Sequence, residues 1–323
     1  MKTIEWLLQA DPYVQYATRV YLLGEDKTGL SDLRQRVLSD GRVRGYLKDM
    51  ADFYGTMVTT HQNPELPVHK LIFLLDMGLD MDVPEIAAAI CSILSSRDER
   101  GVFRVLTNVP QRYGGTAEDT LAWALCDAPL MVSALLRCGI EFDQCEPGIA
   151  YISSLHRPSG FPCAVSPELG HFRGPGRKDD CCPYATLAML RLYSLIKDRV
   201  DTGIVDACLD SMLDLWASSR EKHPYMFFMG TDFRKLKAPT HWYDVVSVAE
   251  CLSGYPQIHT DSRFQEMLDI IQNKADPQGR MTPESVYQKC KAWDFGQKKD
   301  PSPWLTYVCL RVLKRTNRWQ LDT

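Results

Sequence analysis

Pro12–Gly24 reads PYVQYATRVYLLG, and Pro67–Gly78 reads PVHKLIFLLDMG. In both, a proline opens a run with apolar side chains at helical spacing and a glycine closes it. Proline suits a first helical turn, where its missing N–H would be unpaired anyway, and glycine suits the stop. Four more stretches follow the same plan: Pro129–Gly139 (PLMVSALLRCG), Pro183–Leu195 (PYATLAMLRLYSL), Asp244–Gly254 (DVVSVAECLSG) and Pro303–Leu313 (PWLTYVCLRVL). The six anchors succeed one another at intervals of 55, 62, 54, 61 and 59 residues. Self-similarity at a fixed period marks a repeat architecture.

Between the apolar runs lie amphipathic ones, such as Asp206–Ser218 and Asp261–Asn273. Each apolar and amphipathic pair reads as one helical hairpin, and sustained period-two alternation is scarce. The expected fold is all-α: a single domain over residues 1–323 with six hairpins, apolar helices inside and amphipathic ones outside. An open solenoid needs polar caps at its ends. Here the first and last apolar runs resemble the middle ones, so closure into an α/α toroid is expected, with Thr3–Gln9 supplying the last outer helix.

Composition narrows the function classes. The 323 residues are 45% hydrophobic and 24% charged with a net charge of -4, which leaves no overall basic footprint for nucleic acid. The longest apolar stretch, around Ile86–Leu94, is about half of what a membrane span needs. The opening MKTIEWLLQADPYV lacks the apolar core and cleavage site of a signal peptide, so a cytoplasmic location is expected. Eleven cysteines without a repeated CxxC framework read as reduced thiols, mostly small core residues. The vicinal pair Cys181-Cys182 and Cys126 beside Asp127 are the exceptions.

The connectors after the outer helices also recur: SSRDERGVF (Ser95–Phe103), SSLHRPSGF (Ser153–Phe161), ASSREKHPY (Ala217–Tyr225) and NKADPQGRM (Asn273–Met281). Polar residues, then Gly or Pro, then an aromatic or apolar residue mark a turn. These connectors resemble degenerate Gln-x-x-x-Gly-x-Trp repeats of terpenoid cyclases and protein prenyltransferases. The resemblance covers essentially the whole chain. It implies a six-hairpin α/α toroid whose inner helices point their N-terminal ends at a central cavity.

In such a ring the residues just before each inner helix share one mouth: Asp11, Pro67 with His69, Cys126-Asp127, Cys181-Cys182, His241 with Asp244, and Ser302. Thiols, carboxylates and imidazoles are the ligand types that suit zinc, and helix N-termini favour anions and lower thiol pKa values. Asp and Ser at these places are also ordinary helix caps.

Gly170–Leu192, GHFRGPGRKDDCCPYATLAMLRL, is similar to the zinc-binding segment of protein prenyltransferase β subunits. The resemblance implies that Asp180 and Cys182 bind zinc and that Arg177 contacts a prenyl diphosphate, with Arg173 and Lys178 making the cluster more basic. The family's zinc histidine follows a tyrosine at the next inner helix. Here that place reads His241-Trp242-Tyr243-Asp244, so either Asp244 replaces the histidine or His241 reaches in from one turn earlier. Cys126 is a further metal candidate, and Asp127 and Tyr243 are the candidate catalytic side chains. The family also works with a helical partner subunit, for which the sequence shows no surface.

The cyclase branch needs an Asp-x-Asp-Asp acid motif. The nearest text, Asp80-Met81-Asp82-Val83, lacks the second adjacent aspartate, and Asp82 is expected to cap a helix that starts at Pro84. Aromatic residues near the anchors, Tyr13, Trp123, Tyr184, Trp242, Tyr243 and Trp304, suit an apolar chain or a cation. Of these, Tyr184, Trp242 and Trp304 are the candidate substrate contacts. Trp293-Asp294-Phe295-Gly296 and Ser302-Pro303-Trp304 form a loop expected to cover the mouth. The expected function is a zinc-dependent, prenyltransferase-like enzyme acting on a prenyl diphosphate or a similar apolar anion. The alternatives are a toroid that only binds a ligand or protein, and a glycan-processing α/α barrel.

Overall fold

The structure, a computed structural model, describes residues 2–172, 180–221 and 232–320. Helices dominate it, and all six anchors stand at helix starts. After the short α1 (Thr3–Leu7), Pro12 opens α2 (Pro12–Ala17), and a π-turn over Thr18–Leu23 carries that helix on to Gly24. α3 (Ser31–Ser39) and α4 (Gly41–Ala51) follow; Pro67 then opens α5 (Pro67–Asp76), and α6 (Pro84–Ser95) comes after it. Two short strands, β1 (Val105–Thr107) and β2 (Thr120–Ala122), precede α7 (Ala128–Arg137), whose second residue is Pro129. Next come α8 (Phe142–Ser153), α9 (Pro183–Tyr193) and α10 (Thr202–Ala217). Asp244 is the N-cap of α11 (Val245–Leu252); α12 (Ser262–Gln272) follows, and Pro303 opens α13 (Pro303–Arg315). The stops behave as glycine chemistry demands: Gly24, Gly78 and Gly139 sit at φ 73°, 98° and 81°, where a side chain is strained.

The chain forms two compact units. One comprises Met1–Leu47, Phe73–Leu79 and Gly230–Thr323; the other comprises Lys48–Ile72 and Asp80–Met229.

In the first unit α2 packs on α3 and α13, α11 packs on α12 and α13, and α1 lies against α13. α11 and α13 are buried nearly all round, while α12 buries Phe264, Met267, Leu268 and Ile271, the single stripe of a helix that covers a core. Inside, Tyr13, Phe73, Trp293 and Trp304 form one aromatic cluster with ring centroids 4.9–5.8 Å apart, largely in edge-to-face or tilted contacts. Trp293 and Phe295 are therefore interior residues, although the sequence suggested a loop laid over a mouth. The buried Arg311 of α13 pairs with Glu250 of α11 at 2.9 Å, so the two buried helices share a charge pair as well as apolar faces.

In the second unit α7 packs on α6, α8 and α9, and α9 packs on α10. α7 and α9 are almost wholly buried. α10 buries Val205, Cys208, Leu209, Met212, Leu213 and Trp216 along one stripe. β1 and β2 pair antiparallel with Leu106 opposite Leu121, a small departure from an all-helical chain. At α6 the N-cap is Val83, not Asp82; the Asp80 carbonyl instead accepts the Val83 N–H at 3.1 Å and closes the turn before Pro84.

The recurrent connectors share a turn. Asp98 Oδ1 accepts the backbone N–H of Arg100 and Val102 at 2.9 and 2.8 Å. Asp276 Oδ1 accepts those of Gln278 and Arg280 at 2.9 Å each. In both, a glycine three residues on (Gly101, Gly279) has positive φ and donates back to the aspartate carbonyl. Arg157 and Gly160 exchange backbone bonds in a third connector. The fourth runs past residue 221, outside the described residues. Among the described residues no helix is long and apolar enough to cross a membrane.

Candidate functional site

In the second unit the starts of α7 and α9 are drawn together by an extended segment between them. Leu125 N–H donates to the Ala164 carbonyl at 3.0 Å, and Cys182 N–H donates to the Phe161 carbonyl at 2.7 Å. This fixes Cys126 and Asp127, at the entry to α7, against Cys182, the N-cap of α9. The Cys182 sulfur accepts the Ala185 N–H at 3.5 Å. Asp127 holds the N-cap position of α7 but caps nothing with its side chain. Its carboxylate meets His61 instead, Oδ1 to Nδ1 at 3.0 Å. The His69 ring donates through Nε2 to the His61 carbonyl at 2.9 Å, which holds the preceding loop in place.

The electrostatics follow from these contacts. The Cys126 S–H lowers the pKa of the Cys182 thiol against the opposing effect of burial, and the Ala185 and Tyr184 N–H groups and the charge on His61 help it. Helix-start N–H groups favour the thiolate in just this way. The Cys126 thiol is pushed up by its interaction with Cys182 and by burial. Burial acts to discharge His61, but the charge and hydrogen bond of Asp127 outweigh it and raise the imidazole pKa. Burial lowers His69 to about 4, against the opposing charge of Asp127. Tyr184 is 1% exposed, and burial keeps its phenol protonated. The group as a whole can hold negative charge at Cys182 and a proton at His61.

The other candidates lie in the first unit. His241 is buried with its ring 4.2 Å from that of Tyr287, over which the Lys237 ammonium sits at 3.6 Å. Burial lowers the Lys237 pKa, with Asp244 opposing. Asp244 Oδ1 accepts the Ser247 N–H at 2.9 Å and so caps α11. The Trp242 carbonyl accepts from the Ser247 hydroxyl, and the Tyr243 ring lies tilted against that of Phe233 at 5.2 Å. Trp304 is buried in the aromatic cluster, its N–H on Asp294 Oδ2 at 2.9 Å. Of the other mouth residues, Asp11 pairs with Arg42 at 2.9 Å, and Ser302 caps α13 through Leu305 N–H at 3.0 Å.

Arg173, Arg177 and Lys178 lie outside the described residues. The Asp180 carbonyl accepts from Arg157 Nη1 at 3.4 Å. Zinc takes three or four protein donors. The second unit pairs Asp127 with His61, and among the described residues no three His, Cys, Asp or Glu side chains form a group placed to hold a metal. The donors described are two thiols, Cys126 and Cys182, and the carboxylate–imidazole pair of Asp127 and His61.

His61 is the member that sequence reasoning missed. It sits in an irregular stretch with no helical or alternating pattern, where periodicity says nothing. Its only signal is position, a few residues before the Pro67 anchor and hence next to a helix start. No protein-family model matches the chain, and no curated protein sequence matches it either, so the reading of the site rests on its own chemistry.

Proposed function

We propose that the chain is a closed six-hairpin α/α toroid of the terpenoid-cyclase and prenyltransferase kind, with Cys182 as its reactive group. Its ligand is an apolar chain with an anionic head, such as a prenyl diphosphate. The setting of Cys182 carries this reading. The thiol stands at the start of a buried helix and takes an N–H from Ala185, and Cys126 and the His61 of the His61–Asp127 pair lower its pKa. Such a place stabilises negative charge on sulfur or on a bound anion.

Six helix starts at near-regular intervals support the ring. Arg173, Arg177 and Lys178 precede Cys182 closely in the chain and carry the charge that a diphosphate needs. A thiolate is a competent nucleophile toward carbon bearing a diphosphate, and nearby cations offset the charge of the departing group. The binding-only alternative draws on a different observation: the interior of the first unit is filled by its own Tyr13, Phe73, Trp293 and Trp304.

Alkylation of Cys182 by iodoacetamide, followed by peptide mass mapping with and without farnesyl diphosphate, tests the proposal. The expected result is that Cys182 reacts ahead of the other buried cysteines and that the diphosphate protects it. In parallel calorimetric titrations, Arg177→Ala should weaken diphosphate binding by about 1.5–3 kcal/mol, the range for a charge-assisted hydrogen bond, and leave farnesol binding unchanged. Protection by neither ligand, with no heat of binding, sinks the transferase reading and leaves the binding-only one.

A further inference from the structure

We infer that His61, oriented by Asp127, is a nucleophilic imidazole that accepts an acyl group at Nε2 from an activated ester. The two residues lie 66 positions apart and meet in one hydrogen bond, His61 Nδ1 to Asp127 Oδ1 at 3.0 Å. A carboxylate only accepts, so in the neutral ring the proton sits on Nδ1 and the lone pair on Nε2. Exposure is divided unequally: the Asp127 side chain is 1% exposed and the His61 side chain 27%. The carboxylate is shut in, and the ring has an open side. Among the described residues the ring's only hydrogen bond is the one at Nδ1, so Nε2 is the corner left to a ligand.

Both members are anchored. The His69 ring of α5 donates through Nε2 to the His61 carbonyl at 2.9 Å. Asp127 N–H donates to the Ala124 carbonyl, and the Asp127 carbonyl accepts the Met131 N–H, each at 3.0 Å. The Asp127 carboxylate stands where a helix cap would and leaves that bond unmade. An aspartate whose role is to start a helix bonds the helix N–H groups. This one holds an imidazole, the base-and-orienter arrangement of nucleophilic and acid–base sites. Charge selects the substrate class. Phosphoryl transfer is carried by cations around the phosphate, and among the described residues no lysine or arginine bonds either member of the pair. An acyl group needs no such cations. In the step, the Nε2 lone pair attacks the ester carbonyl carbon, the bond to the leaving oxygen breaks, and the alkoxide or phenolate departs with the electron pair. The acylated ring keeps its Nδ1 proton on Asp127. Water then adds to the acyl carbon and the C–N bond breaks, returning the lone pair to Nε2. The products are a carboxylic acid and an alcohol or phenol, whose proton comes from that water. The inference is independent of the diphosphate reading and of Cys182.

The experiment uses the full chain and two acyl donors. Brief treatment with diethyl pyrocarbonate at alkaline pH, followed by peptide mapping, should label His61 ahead of His171, although His171 is the more exposed. Hydroxylamine should remove the label. Asp127 is the positioning residue, so Asp127→Asn should slow labelling of His61 by about tenfold or more, because the wrong tautomer is then allowed. His171 labelling should not change. With p-nitrophenyl acetate, the wild type should release more than one equivalent of p-nitrophenolate. His61→Gln should lose that turnover and Cys182→Ser should keep it; circular dichroism shows whether each variant is folded. Labelling of His171 before His61, turnover that survives His61→Gln, or turnover lost in a folded Cys182→Ser overturns the inference. The wild-type labelling order decides it even if a variant misfolds.

Discussion

The Tyr13 hydroxyl donates to Asp294 Oδ1 at 2.5 Å, joining residues 281 positions apart. The other carboxylate oxygen accepts the Ser302 hydroxyl at 2.5 Å and the Trp304 N–H at 2.9 Å. One buried carboxylate thus fixes the starts of α2 and α13, and Trp293 beside it fills the space between their aromatic residues.

Replacing Asp294 with alanine strands three donors in that interior. Each bond to a charged group contributes about 1.5–3 kcal/mol, so a loss of roughly 3 kcal/mol or more is expected in urea unfolding followed by tryptophan fluorescence. The pH dependence has a definite sign. Burial raises the Asp294 pKa above its ordinary 3.8, against the three donors. A carboxyl with a raised folded pKa contributes stability at low pH that is lost as pH climbs from 3.8 through the folded value. Asp294→Asn should remove that decline while costing stability at every pH; a decline of unchanged slope in the variant would assign it to another group.

The His61–Asp127 pair gives a second pH test. His61 is raised above 6.5 by the charge and hydrogen bond of Asp127, in spite of burial. Its stabilising contribution is complete below 6.5 and disappears as pH rises through the folded value. Asp127→Asn should cost about 1.5–3 kcal/mol near pH 6 and much less above the folded value. Proton NMR titration of the imidazole should show the His61 midpoint moving down in the variant, and an unmoved midpoint would refute the coupling.

A steric test lies at Gly148 in α8. A Cβ built there would stand 2.2 Å from the Gly101 carbonyl oxygen, in the connector before β1. No rotamer can relieve a clash with backbone. Gly148→Ala should therefore destabilise by about 1–3 kcal/mol even though alanine is the better helix former. Thermal melts of this variant beside Gly45→Ala in α4, whose Cβ would meet open space, separate packing from propensity.

The two aspartate turns test the repeat itself. Asp98 and Asp276 each accept two backbone N–H groups in the same geometry. Asp98 also accepts the Trp123 indole N–H at 3.1 Å. Alanine at Asp276 should cost about 1–2 kcal/mol, and at Asp98 about 1 kcal/mol more, in chemical denaturation. Equal costs would show that the indole bond adds nothing.

The legible parts of the sequence were those where one residue type has one backbone role. Proline at Pro12, Pro67, Pro183 and Pro303 opened helices, Gly24, Gly78 and Gly139 ended them, and D-x-x-G at Asp98 and Asp276 made matching turns. Three-residue strands are too short for period-two alternation to register, so β1 and β2 left no mark. The site was legible only in pieces. Cys126, Asp127 and Cys182 stood out as residues before helix starts, but nothing in the chain announces that Asp127 abandons its cap for His61. Trp293 and Phe295 misled for the opposite reason. Gly and Pro around them suggest a surface loop, while their rings belong to the interior.

The division of the chain between its two units sets an order on its synthesis. Once residue 229 has left the ribosome, every residue of the second unit exists, and α7, α9 and their partners can close on one another. The other unit begins at the first residues and ends at the last, so Tyr13 must wait for Asp294 to be made. Through most of translation the apolar face of α2 has no α13 to cover it. Domains mature from the N-terminus during synthesis in most proteins; here α2 is made long before α13, the helix that covers it.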